Sequence, residues 1–183
     1  MTRLPAIDPA NATGQARELL GNVQAKLGLT PNMMRTMANS APVLEGYLSF
    51  SAALGGGKLG AKLREQIALI TAEENQCGYC VAAHSVLGGM AGLSQDEMMA
   101  SRKATAADAK TQAALVFAKA VVSKQGTVSD EDLRAVRKAG WSDGDIAEII
   151  ANVALNVFTN YFNHAAGTEI DFPKVPLLLR KAG

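Results

Sequence analysis

The chain has 183 residues, 48% of them hydrophobic, with 18 Lys and Arg against 17 Asp and Glu and a net charge of +1. That length and apolar content suit one domain with a sizeable core. The even charge, with no basic stripe interleaved with aromatics and no block of like charge, argues against a nucleic-acid surface or a charged tail.

Met1 to Ala10 carries one arginine and two prolines but no apolar run, so it does not read as a secretory signal. The longest apolar stretch, Ala113 to Val122, is broken by Lys119 and is too short to span a membrane. The expected compartment is the cytoplasm, with neither membrane nor nucleic acid as partner.

In chain order, nearly every segment reads as helix. After an extended lead-in to Asn11, Ala16, Leu19, Leu20, Val23 and Leu27 space one apolar face along a first helix, Thr13 to Lys26, stopped by Gly28. Thr30-Pro31 predicts a short helix with Thr30 as N-cap and Pro31 in the first helical position. Ser40-Ala41-Pro42 opens another that runs to about Leu54, and Gly55-Gly56-Gly57 reads as a helix-helix turn. A long helix from about Gly60 to Asn75 carries a Leu63, Ile67, Ile70 stripe with Glu65 beside it. A helix from Gly78 to about Ala91 follows. Ser94 to Glu97 is a capping-box pattern. Helices are then expected over Asp108 to Lys124, from the Thr127–Asp132 turn to Gly140, and from the Ser142 cap over Asp145 to about Ala165. The tail from Thr168 is expected to pack across the surface. No strand-helix alternation and no glycine-rich phosphate loop supports a nucleotide fold.

Both cysteines lie in Cys77-Gly78-Tyr79-Cys80, and His84 follows four residues later. In a reducing compartment, a lone CxxC points to redox catalysis or metal binding before it points to a structural bridge. Cys77 falls at the N-cap and Cys80 in the first helical turn. There the free amides and the helix dipole stabilise a thiolate. His84 projects from the same face as Cys80 and can exchange a proton with a thiol. Glu65, on the preceding helix, can share that proton, although from spacing alone the simpler reading is a surface glutamate paired with Arg64 or Lys62. Zinc would need two further ligands, with His84 and His164 the histidines to supply them, and the spacing matches no standard finger. Val81 stands where covalent haem attachment requires histidine. His164 reads first as a hydrogen-bonded histidine at a helix end. An inert buried cysteine pair remains a reading of the same residues.

Glu65, Cys77-x-x-Cys80 and x3-His84 in this register resemble the alkylhydroperoxidase AhpD-like group of the carboxymuconolactone decarboxylase family. Pro31-Asn32-Met33, Ser40-Ala41-Pro42, Arg64-Glu65, Thr159 to His164 and Thr168 to Pro173 resemble its peroxidase-related branch, so the likeness covers about residues 15–175. It implies one all-α, AhpD-like bundle of about eight helices spanning 1–183, which associates into dimers, trimers or hexamers. It also implies thiol peroxidase chemistry: Cys80 attacks a hydroperoxide, Cys77 resolves the sulfenic acid as a disulfide, and Glu65 and His84 relay protons. No cofactor or metal is implied beyond the cysteine pair. The expected partners are a hydroperoxide and an external dithiol, lipoyl-type donors among them.

AhpD itself has a histidine just before the second cysteine, where this chain has Tyr79. A phenol titrates far above neutrality and shuttles protons less well than imidazole, so Tyr79 and His164 stand as accessory candidates. The alternatives are a decarboxylase-type member of the family, whose branch typically lacks the cysteine pair, and a non-catalytic helical interaction module with a redox-switch CxxC. A shift of 83 residues carries Glu65 to Glu148, Cys77 to Asn160 and Cys80 to Asn163. This suggests either a second copy of one helix pair without thiols, or chance similarity between alanine-rich helices.

Overall fold

The computed structural model describes residues 2–178. Among them it has a short 3-10 turn (Pro9–Asn11), nine α-helices and no strand: α1 (Gly14–Leu27), α2 (Asn32–Met37), α3 (Ala41–Gly55), α4 (Ala61–Glu74), α5 (Gly78–Met90), α6 (Gln95–Ser101), α7 (Ala109–Ser123), α8 (Asp130–Lys138) and α9 (Asp143–Ala166). The all-α reading holds, with nine helices among the described residues against the expected eight or so. No described helix is long and apolar enough to cross a membrane.

The bundle is arranged around α4. Residues 66–73 are all buried, so this half of the helix has protein on every side and not just along the Leu63, Ile67, Ile70 stripe. Ile67 and Ile70 join Leu115, Phe117, Val136 and Ile149 in one core cluster, from α7, α8 and α9. On the other side, Ala72 joins a second cluster of Met33, Met37, Leu44, Val81 and both cysteines. Leu69 packs with Leu93 and Met98 near α6. Each fully buried aliphatic side chain of α4 contributes roughly 1.5–3 kcal/mol.

The helix ends follow from local chemistry. Ser94, Ser129 and Ser142 each form a reciprocal capping box, with Glu97, Asp132 and Asp145 respectively. Gly28 closes α1 with φ 74°, a conformation that costs glycine little. Thr30 is not the cap of α2. Pro31 takes that place, and the Thr30 hydroxyl turns to Gln24 at 3.3 Å. The Asn32 amide is instead satisfied at 2.7 Å by Asp171 Oδ2 from the tail, 139 residues away. The glycine turn between α3 and α4 is shaped by α9. Lys58 N and Leu59 N donate to the Glu148 carboxylate at 2.9 and 3.1 Å, and a Cβ on Gly57 would lie 2.5 Å from Glu148 Oε2.

The tail packs as expected and is held at two points. Ile170, Phe172, Val175 and Leu177 lie against the cluster that contains the cysteines. Glu73, fully buried, pairs with Arg102 Nε at 2.7 Å, and the same two side chains bond the backbone at Leu178 and Pro176.

The repeated helix pair is not observed. Residues 75–77 interrupt the first would-be copy between α4 and α5, whereas the shifted residues Glu148 to Asn163 lie on the single unbroken helix α9. The 83-residue shift does reappear as a contact, because Asn163 touches Cys80.

Candidate active site

The turn from α4 to α5 sets the position of the sulfurs. Cys77 N donates to Ala72 O at 2.8 Å and Gln76 N to Glu73 O at 3.0 Å, the two bonds of a Schellman ending. Gln76 occupies the left-handed position at φ 56°, where glycine is usual. That reversal ends α4 and makes Cys77 the N-cap of α5 within one residue. Cys80 N then donates to Cys77 Sγ at 3.3 Å. Cys77 and Cys80 are joined as a disulfide, with their Cα atoms 5.2 Å apart. Both are almost completely buried, at 1% and 2% exposure.

The two sulfurs are not equivalent. Cys80, His84 and Glu65 line one cleft of about 270 Å³, and Cys77 lies behind it, away from the lining. The walls are mostly apolar, supplied by Leu29, Met34, Leu54, Leu87 and Phe172 among others, with Lys26 and Arg64 as cations. His84 Nδ1 and Glu65 Oε2 are 2.7 Å apart, each about one-fifth exposed. Glu65 is therefore directed at His84; Arg64 bonds Leu59 O instead. A carboxylate on Nδ1 fixes the imidazole tautomer and leaves Nε2 as its free basic position.

Tyr79 has a different place from that of a shuttle. Its hydroxyl accepts from Met33 N at 3.1 Å and bonds the Asp171 carboxylate, and its ring meets Phe172 edge-on at 5.7 Å. Burial, followed by the negative charge of Asp171, drives its acidity far below that of an ordinary phenol. Tyr79 thus clamps the start of α2 and the tail beside the cleft. His164 lies outside the cleft lining, on the surface at the end of α9, with Nε2 2.9 Å from Asn75 O. Among the described residues, no three His, Cys, Asp or Glu side chains gather as a metal site.

Two groups escaped the sequence reading. Tyr47 lines the cleft, and burial followed by the Glu65 charge pushes its phenol up to about 12. The other is a row on α9. Asn152, Asn156, Asn160 and Asn163 are all buried along one face, and the first two line the cleft. Asparagine at spacings of four, four and three along an otherwise apolar helix was the available signal, since a buried amide needs partners. Asn163 Nδ2 donates to Cys80 Sγ at 3.4 Å and to Met33 Sδ at 3.3 Å.

The fold and site define a helical dithiol–disulfide protein, with the pair at a helix N-terminus beneath a cleft that carries a carboxylate–imidazole couple. Residues 41–123 match the carboxymuconolactone decarboxylase family. The AhpD core structure of an uncharacterized peroxidase-related protein from Ralstonia eutropha JMP134 is similar over 93% of this chain and 92% of that one, with 26% identity and a TM-score of 0.81. On these matches the chain is similar to the AhpD-like proteins of the carboxymuconolactone decarboxylase family. Two further structures share the fold. One is an uncharacterized peroxidase-related protein from Silicibacter sp. TM1040, with 22% identity, a TM-score of 0.80 and 92% and 91% coverage. The other is the debrominase Bmp8, in a variant bound to 2,3,4-tribromopyrrole, with 21% identity, a TM-score of 0.80 and 93% and 92% coverage. No curated protein sequence matches the chain.

Proposed function

We propose that the chain is a thiol-dependent peroxidase or disulfide reductase that cycles the Cys77–Cys80 pair between dithiol and disulfide. The observation that carries this reading is the shared cleft, which presents one sulfur of the pair and the Glu65–His84 couple to the same space. In the reduced protein, His84 takes the Cys80 proton and Glu65 steadies the resulting imidazolium. The Cys80 thiolate attacks the terminal oxygen of a hydroperoxide; the O–O bond breaks, and the alkoxide leaves as alcohol with a proton from His84. Cys77 then attacks the Cys80 sulfenic acid, an S–S bond replaces the S–O bond, and water departs. An external dithiol, of lipoyl type in the simplest case, restores both thiols and leaves as its own disulfide. The likeness to the debrominase, at 21% identity, speaks to the fold alone.

The same reading makes the working form a homo-oligomer, supported by exposed apolar side chains such as Met90, Phe158 and Tyr161. The test is hydroperoxide consumption with several dithiol donors, on the wild type and on Cys80→Ser. Turnover in the wild type and its loss in the variant are expected. Equal rates in the two proteins would remove Cys80 from the chemistry and overturn the assignment.

A further inference from the structure

Asn163 is 4% exposed, and its carboxamide meets two sulfurs. The amide orientation follows from chemistry. A thioether sulfur offers no hydrogen, so the group facing Met33 Sδ must be the NH₂, and the same nitrogen reaches Cys80 Sγ. The oxygen, Oδ1, is then buried with no hydrogen-bond partner among the described residues. An unmet buried acceptor is costly, so its retention beside Cys80 Sγ calls for a reason. Asn160, one turn earlier, differs in kind: its oxygen accepts from Asn75 at 2.9 Å and its Nδ2 is the unpaired atom, so the unmet acceptor belongs to Asn163, which is the amide bonded to Cys80.

We propose that Asn163 is a catalytic residue of the redox centre: its N–H holds the charge on Cys80 Sγ in the reduced protein, and its unpaired oxygen receives the hydroxyl of the Cys80 sulfenic acid. The sulfenic part rests on the peroxidase reading above, and the thiolate part does not. In the disulfide, Sγ is neutral and the bond is weak. On reduction the sulfur becomes an anion, and the same bond becomes charge-assisted, the stronger kind. Cys77 has its own donor in the Cys80 amide, so the carboxamide distinguishes the two thiolates. When a dithiol reduces the pair, Cys80 leaves as a thiolate into this bond. When a hydroperoxide oxidises it, the S–O–H hydrogen has Oδ1 to bond until Cys77 attacks and water is released. Neither step consumes a proton or electron beyond those of the cycle. The other charged or titratable groups around the Cys80 side of the cleft are Glu65 and Arg64 of α4, His84 of α5, Tyr47 of α3, Lys26 of α1, Tyr79 beside the sulfur and Asp171 of the tail. All of them are unchanged in the variants below.

The test uses the reduced full chain. The rate of alkylation of Cys80 is followed against pH by mass spectrometry, and the dithiol–disulfide equilibrium is measured against dithiothreitol. Asn163→Ala removes the donor, and Asn163→Leu removes it while keeping most of the volume, in case the alanine variant fails to fold. Asn160→Ala is the control for loss of a buried amide. The expected result is an alkylation midpoint about one pH unit higher in both Asn163 variants, a roughly tenfold loss of thiolate at neutral pH. Measured at a pH above both midpoints, the equilibrium should move towards disulfide by about the same factor, with Asn160→Ala behaving as wild type in both measurements. Wild-type midpoints in the Asn163 variants, or equal shifts in Asn160→Ala, would overturn the proposal. Neither readout needs peroxide turnover, so an inactive wild type whose Asn163 variants shift would fail the peroxidase reading and keep the thiolate role.

Discussion

Glu65 and His84 stand 19 residues apart on two helices, and Oε2 of one lies 2.7 Å from Nδ1 of the other. The pair is made by the short α4–α5 reversal, which folds the second helix back beside the first. Glu65→Gln keeps an oxygen that can accept the Nδ1 hydrogen but removes the charge that steadies the imidazolium. Peroxide turnover should fall by about 10²-fold, at the lower end of what acid–base groups contribute. The disulfide should still form with a strong oxidant, as shown by thiol titration.

The unequal placement of the two sulfurs, with Cys80 alone of the pair in the cleft lining, makes a second prediction. In Cys77→Ser, Cys80 still faces the cleft but has no resolving partner. One equivalent of hydroperoxide should leave a sulfenic acid on Cys80, captured by dimedone and located by peptide mass spectrometry. In Cys80→Ser the same treatment should leave Cys77 unlabelled, because that sulfur lies outside the cleft lining.

Alkaline stability follows from the two phenols. Tyr47 is raised to about 12 and Tyr79 further still, each chiefly by burial. Above pH 10 the unfolded chain ionises tyrosines that the folded chain keeps neutral. The folded state then binds more protons, and stability falls as pH rises. The contribution of Tyr47 is complete below pH 10 and is lost between pH 10 and about 12. Tyr47→Phe should flatten that decline by up to about 1.4 kcal/mol per pH unit, the value of one proton. Urea unfolding at a series of pH values from 9 to 11.5 measures it.

The buried Glu73–Arg102 pair should be costly to break. Arg102→Leu removes the cation 2.7 Å from a fully buried carboxylate and releases the bond to Pro176 O. The expected destabilisation is about 3–5 kcal/mol in chemical denaturation. Glu73→Gln/Arg102→Leu should recover part of this loss, because the carboxylate is then gone.

Much of this protein was legible from local chemistry. The helix starts at Ser94, Ser129 and Ser142 were legible because a capping box acts over three residues, and the end at Gly28 because glycine alone enters the left-handed region freely. The CxxC–His84 register was legible because i, i+4 neighbours share a helix face. Glu65 carried two readings in the sequence, a surface ion pair or a relay, and its resemblance to a family motif was what favoured the relay. Its contact depends on how α4 meets α5. Tyr79 reads as a weak shuttle from its chemistry, yet its position makes it a clamp, because Met33 and Asp171 reach its hydroxyl from segments 46 and 92 residues away. The inequality of the sulfurs, the tail that caps α2, and the Asn163 amide on Cys80 are likewise products of packing. Hydrogen bonds and burial act through space, and α9 meets Cys80 only after the bundle has closed around α4. The sequence by itself determined the helices and the thiol chemistry available to them. The tertiary structure decided which sulfur lines the cleft, which carboxylate meets the histidine, and which amide lies beside Cys80 Sγ.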